Sequence, residues 1–182
     1  MGCSNPKTIA WLVQPCVAGE SVKISWTVAY TVLWSNTGNL THGTHVPTHG
    51  SVNVNPFEGD IETFGKNAQG YSFLGLFPSR SNPCSVGIKT DNTVVTGQVS
   101  VGLGIDGHPV LMCPAQPNLN ITFTPRPKYY LAFGQYTQSS IVDVNKMSSY
   151  IELDYASSDT FSFTATIDAS NQWRLTTNVD IT

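Results

Sequence analysis

From residue 22 to residue 34 the chain alternates without a break. Val22, Ile24, Trp26, Val28, Tyr30, Val32 and Trp34 hold every even position, and Lys23, Ser25, Thr27, Ala29, Thr31, Leu33 and Ser35 hold the odd ones. Successive side chains of a strand point to opposite faces, so an extended chain gathers these large apolar groups on one side; a helix scatters them around its circumference. The run predicts a strand of a half-buried sheet, long enough to bend or change partners midway. No window of the sequence carries a convincing 3.6-residue period.

The same rhythm recurs downstream. Segments 51–55, 61–64 and 71–77 are bounded by Pro56, Gly65, Gly70 and Pro78. Segment 93–105 places Val95, Val99, Val101, Leu103 and Ile105 on one side, with Gly97 as a candidate bulge. Asp106-Gly107 then predicts a hairpin turn into segment 110–113. Segments 118–124 and 129–133 follow, and 150–155, 160–167 and 173–181 read as a three-strand meander joined by short turns. The expectation is an all-β fold, an antiparallel β-sandwich or jelly-roll-like arrangement of about nine to eleven strands with little or no helix. With 182 residues, 40% of them hydrophobic, and no evident linker, residues 1–182 read as one domain.

Composition narrows the partners. Only 12% of residues are charged, while 20 Thr, 18 Ser and 13 Asn supply a hydroxyl- and amide-bearing surface. Nine basic against twelve acidic residues give no footprint for nucleic acid. The apolar runs fall far short of the roughly 18 residues a membrane span needs. Cys3, Cys16, Cys84 and Cys113 contain no CxxC spacing, so a disulfide framework is expected rather than a zinc knuckle. Of three possible connectivities, Cys3–Cys16 would pin the N-terminus and Cys84–Cys113 would tie neighbouring strands, each contributing about 2–4 kcal/mol. Asn39-Leu40-Thr41 and Asn120-Ile121-Thr122 are glycosylation sequons. Cysteines and sequons together point to a secreted, extracellular protein, although residues 1–6 show neither the basic nor the apolar region of a signal peptide.

Chemistry-bearing residues cluster in three places. His42, His45 and His49 lie within eight residues among Gly43, Pro47 and Gly50. They read either as a solvent-exposed loop or, given a turn that converges them, as ligands for Zn or Cu. Glu152 and Asp154 share one strand face in Tyr150-Ile151-Glu152-Leu153-Asp154-Tyr155, the pairing glycoside hydrolysis uses. This segment resembles the nucleophile strand of laminarinase-like jelly-roll glycosidases, which read Glu-x-Asp-x-x-Glu or Glu-x-Asp-x-Glu. Ala156 and Ser157 stand where the family's general acid belongs, so the resemblance implies no proton donor here. Asp60 and Glu62 form a similar same-face pair, expected on a solvated outer face. Gly102-Leu103-Gly104-Ile105-Asp106-Gly107 matches GxGxxG, but a strand rather than a helix follows it, which rules out a dinucleotide site.

Tyr129, Tyr130 and Tyr150 flank strand starts. Together with Glu152 and Asp154 they make a candidate site that stacks on sugar faces and hydrogen-bonds their hydroxyls. The expected function is a non-enzymatic binding module, lectin-like or adhesive, recognising a glycan or cell-surface partner through sandwich loops. The alternatives are a self-assembling coat or inclusion protein forming homo-oligomers, and a metal-dependent enzyme built on the three histidines.

Overall fold

Only Tyr30–Ser35 of the alternating run forms strand. Its partner, Ser100–Ile105, pairs with it from Ser35↔Ser100 to Tyr30↔Ile105 and then turns away at Asp106 and Gly107. Among the described residues, 21–29 join no ladder beyond that turn, where Asp106 N–H donates to Ala29 O at 2.8 Å. Alternation shows which side chains would share a face, but an extended backbone persists only where its polar groups are paired. Val28, expected on the apolar face of that strand, is 51% exposed.

The computed structural model describes residues 6–17, 19, 21–78, 84–147, 149–155, 162–170 and 172–177. Among them are fourteen strands: β1 (Lys7–Ala10), β2 (Tyr30–Ser35), β3 (Gly50–Asn53), β4 (Asp60–Asn67), β5 (Gly70–Pro78), β6 (Val86–Thr90), β7 (Ser100–Ile105), β8 (His108–Pro114), β9 (Asn120–Phe123), β10 (Lys128–Ala132), β11 (Ser140–Val142), β12 (Tyr150–Asp154), β13 (Phe163–Ile167) and β14 (Trp173–Thr177). Two three-residue 3-10 turns, Pro56–Glu58 and Val144–Lys146, are the described helical structure. The all-β class holds, with more strands than expected. β1 and β11 are too short to show alternation, and β6 contains a glycine that hides it.

The chain forms two compact units. One comprises residues 1–125 and 136–143, the other 126–135 and 144–182. The second therefore interrupts the first, a division that leaves no linker-like stretch in the sequence.

In the first unit a six-stranded sheet, order β11-β1-β8-β7-β2-β3, and a four-stranded sheet, order β5-β4-β6-β9, enclose a shared core. Val32, Val101, Leu103 and Cys113 from the first meet Phe64, Val86, Ile88, Ile121 and Phe123 from the second. Pairing is antiparallel except between β4 and β6, which run parallel. Trp34 connects the layers, its ring 5.8 Å from Phe64 and 6.2 Å from Tyr71. The six-stranded sheet is also covered behind: Ile9, Leu33, Met112 and Ile141 form a second core with Leu40 and Val46 of the loop after β2. Asp106 and Gly107, at φ 52° and 75°, make the expected β7–β8 turn with both residues left-handed. Gly97, at φ 82°, sits in a turn before β7 rather than in a bulge.

In the second unit β10 pairs with β12 and β13 with β14, all antiparallel. Among the described residues the expected three-strand meander is reduced to the β13–β14 hairpin, and β12 pairs with β10 instead of β13. Ala165↔Leu175 and Ile167↔Trp173 put the apolar rows of β13 and β14 on one shared face. Thr160, Phe161, Val179 and Ile181 lie outside the described residues.

Asp60 and Glu62 correct the solvated-face reading: they are 3% and 2% exposed. β4 is an interior strand, so alternation carries both carboxylates to the side of Phe64 and the core. Asp60 Oδ2 accepts the Asn55 N–H at 2.7 Å, whereas among the described residues Asp60 Oδ1 and Glu62 Oε2 find no hydrogen-bond partner. Burial, reinforced by the neighbouring Asp60 charge, pushes the Glu62 carboxyl above its ordinary range.

Two outcomes follow. Leu33→Ala should destabilise by about 2–5 kcal/mol in urea denaturation, while Val28→Ala should change stability by less than about 0.5 kcal/mol. Comparable losses at both positions would contradict the pairing described. For Glu62, both folded and unfolded states hold the proton below about pH 4.3. As pH rises from there through the raised folded pKa, only the folded state keeps the proton, so stability falls. Glu62→Gln should therefore match wild type near about pH 4 and exceed it at neutral pH; equal stability at neutral pH would refute this.

Candidate functional site

Register places the site. In the β10–β12 ladder Lys128 faces Asp154, Tyr130 faces Glu152 and Ala132 faces Tyr150. Directly opposed residues of an antiparallel pair share a face, so Lys128, Tyr130, Tyr150, Glu152 and Asp154 project together. Tyr129, Leu131, Ile151 and Leu153 take the other side, and Leu153 is buried. Four of the five residues expected at a ligand site are thus brought together, and Tyr129 is not. Its ring instead lies 5.7 Å from Tyr155, which meets Phe163 edge-on at 4.7 Å.

Tyr130 and Tyr150 are 49% and 46% exposed. Their rings stand 5.5 Å apart at 82°, an edge-to-face pair. Lys128 Nζ lies 2.8 Å from Glu152 Oε1 and 3.0 Å from Asp154 Oδ2. Those two hydrogen bonds, first to Glu152, hold the Lys128 ammonium above its usual range. The Tyr130 hydroxyl is also pushed upward, first by loss of solvent and then by the charge and hydrogen bond of Glu152. Lys128 was missed from the sequence; its signal was a lysine two residues before Tyr130, a spacing that keeps it on the tyrosine's face. The face offers two aromatic surfaces, donors and acceptors, but its carboxylates are tied to Lys128, and among the described residues no further acid shares this face.

The three histidines do not converge. Each is exposed on the loop that closes the second core, where Leu40 and Val46 are its buried anchors. Gly43 N–H to Ile141 O and Val46 N–H to Ser139 O, 2.9 and 2.8 Å, fix that loop. His45 bridges to Ser140, and the His49 ring packs 5.4 Å from Trp34 with Nδ1 3.2 Å from the Pro47 carbonyl oxygen. Among the described residues no three His, Cys, Asp or Glu side chains group as metal ligands. Cys16 and Cys84 are free, exposed thiols, so neither expected bridge forms. Cys113 is fully buried and disulfide-bonded, to neither of these. Cys3 lies outside the described residues. Asn39 and Asn120 are both exposed.

Fold and site together define an all-β protein that carries an exposed aromatic and ionic face on a two-stranded ribbon. The RhiA family profile matches residues 1–178, and the chain belongs to the RhiA family. It is 28% identical over 174 residues to Protein RhiA of Rhizobium leguminosarum bv. viciae, an alignment covering 93% of this chain and 74% of that protein. No solved structure matches.

Spectrophotometric pH titration checks the electrostatics of the face. The phenol lost in Tyr130→Phe should ionise above about pH 10, and Glu152→Gln should bring it down. An unshifted Tyr130, or one indifferent to Glu152, would contradict the geometry.

Proposed function

We propose that the protein is a non-enzymatic recognition module, lectin-like, whose β10–β12 face binds a glycan displayed on a cell surface. The observation that carries this reading is the exposed edge-to-face pair Tyr130 and Tyr150 beside the Lys128–Glu152–Asp154 ion cluster. A pyranose ring has apolar C–H faces and a hydroxyl rim. Tyrosine rings suit the faces, and fixed carboxylate and ammonium groups suit the rim. Lys128 offsets much of the acid charge, which favours a neutral ligand over a cation. The module works outside the cell in this reading, and the exposure of both sequon asparagines supports it. Among the described residues no helix is long and apolar enough to cross a membrane.

Self-assembly is the second reading, and one observation favours it. β5 is an edge strand of nine residues without a charged side chain, and its Leu74 and Leu76 are exposed. Such an edge is a template for pairing with another chain. Light scattering decides: concentration-dependent growth abolished by Leu76→Lys supports assembly, and a monomer at high concentration opposes it.

A glycan array tests the principal reading. Binding to at least one structure is expected, with about a fivefold or greater loss in the Tyr130→Ala, Tyr150→Ala double variant, given about 0.5–1.5 kcal/mol per aromatic contact. Silence of the folded protein across a broad array would overturn it.

A further inference from the structure

The four-stranded sheet of the first unit has a second face. Glu62, Phe64 and Ile88 point to the core, so their neighbours Ile61, Thr63 and Lys89 point outward. Over Ile61 and Thr63 opens a cavity of about 690 Å³, within the range of small-molecule sites. Its walls are Lys89, Thr90, Asp91 and Asn92 at the end of β6, and Asn118 just before β9.

These walls are held in place. Asp91 N–H donates to Phe64 O at 3.0 Å and Asn118 N–H donates to Asp91 O at 3.2 Å, tying the two loops to β4 and to each other. Thr90 Oγ1 donates to Gln116 O at 2.5 Å and accepts the Leu119 N–H at 2.8 Å. The Asp91 carboxylate is fixed through one oxygen only: Oδ1 accepts Thr93 N–H at 2.9 Å and the Thr93 hydroxyl at 2.5 Å. Its other oxygen rests against Gly65, where an added Cβ would collide with Oδ2. Among the described residues Oδ2 makes no hydrogen bond, and Lys89 makes no ion pair. The groove therefore presents a fixed acceptor, an ammonium group and two amides around an apolar floor.

The geometry points to this groove as a second ligand site, taking a neutral saccharide and independent of the tyrosine face. Lys89 and Asp91 carry opposite charges, so the groove has little net charge with which to favour a simple anion or a simple cation. A hydroxyl both donates and accepts, so neighbouring hydroxyls of one sugar satisfy Asp91 Oδ2 and the Lys89, Asn92 and Asn118 donors together. Ile61 receives the apolar ring face. Asp91→Asn is the diagnostic change: its amide oxygen can keep the Thr93 bonds, but its NH2 then puts a donor where the ligand needs an acceptor.

The test uses the 15N-labelled 182-residue chain titrated with lactose, maltose, cellobiose and N,N′-diacetylchitobiose, with glycine and acetate as zwitterionic and anionic probes. We expect saturable amide shifts at Lys89, Asp91, Asn92, Thr93 and Asn118 with at least one disaccharide. Affinity should weaken at least about fivefold in Asp91→Asn and in the milder surface change Asn92→Ala, while the Tyr130→Ala, Tyr150→Ala variant leaves these shifts intact. No saturable shift at these amides up to about 50 mM saccharide, or shifts produced by glycine or acetate instead, overturns the assignment. So does full retention of binding by a folded Asn92→Ala and Asp91→Asn pair.

Discussion

β2 is buried on both faces, and the first unit is arranged around that fact. Val32 enters the core between the sheets and Leu33 enters the core behind the six-stranded sheet. A sheet sealed on two sides needs a third layer, and the chain supplies it with the loop after β2, anchored by Leu40 and Val46. The same demand explains the low charge: positions that would be solvated on a one-sided sheet are here closed. Thr31, Ser35 and Ser100 are buried hydroxyl residues on the central strands. Among the described residues Thr31 Oγ1 and Ser100 Oγ find no hydrogen-bond partner, a desolvation cost that a small hydroxyl keeps lower than a charged group would.

What was legible in the sequence was the local chemistry of the strand. Alternation gave the β class, Asp106-Gly107 gave its turn, and Tyr130, Tyr150, Glu152 and Asp154 could be placed on one face by counting in twos. What was not legible was pairing. The strongest alternating run in the chain stops being strand at Tyr30 because β7 ends opposite it at Ile105. Asp60-x-Glu62 and Glu152-x-Asp154 look alike in sequence, yet the first pair lies in an interior strand against a core and the second on a ribbon open to solvent. Cysteine spacing failed for a related reason: a bridge requires Cα atoms within about 7 Å, and separation along the chain does not set that distance. Of the two readings of the histidines the exposed loop holds, since the loop that carries them spends its geometry on burying Leu40 and Val46.

Register decides which tyrosine is available. Tyr129 and Tyr130 are adjacent, so the ribbon must send one to each side. The pairing of Tyr130 with Glu152 assigns it to solvent and sends Tyr129 toward Tyr155 and Phe163. A one-residue slip would exchange them and separate Lys128 from both carboxylates. The ion cluster and the aromatic pair thus depend on one ladder: Lys128 stands directly opposite Asp154, and Tyr130 lies diagonal to Tyr150, which faces Ala132.

The two proposed surfaces share an electrostatic principle despite unrelated geometry. On the ribbon one ammonium is set against two carboxylates; in the groove Lys89 is set against Asp91. Neither surface presents a field of one sign, so neither gains much from long-range attraction, and selectivity rests on short-range matching of donors, acceptors and ring faces. A chain with 12% charged residues and a net charge of −3 has little means of steering a charged partner. In the proposed reading its abundant hydroxyls and amides are matched instead to a ligand that is itself neutral, polar and able to donate and accept at the same atom.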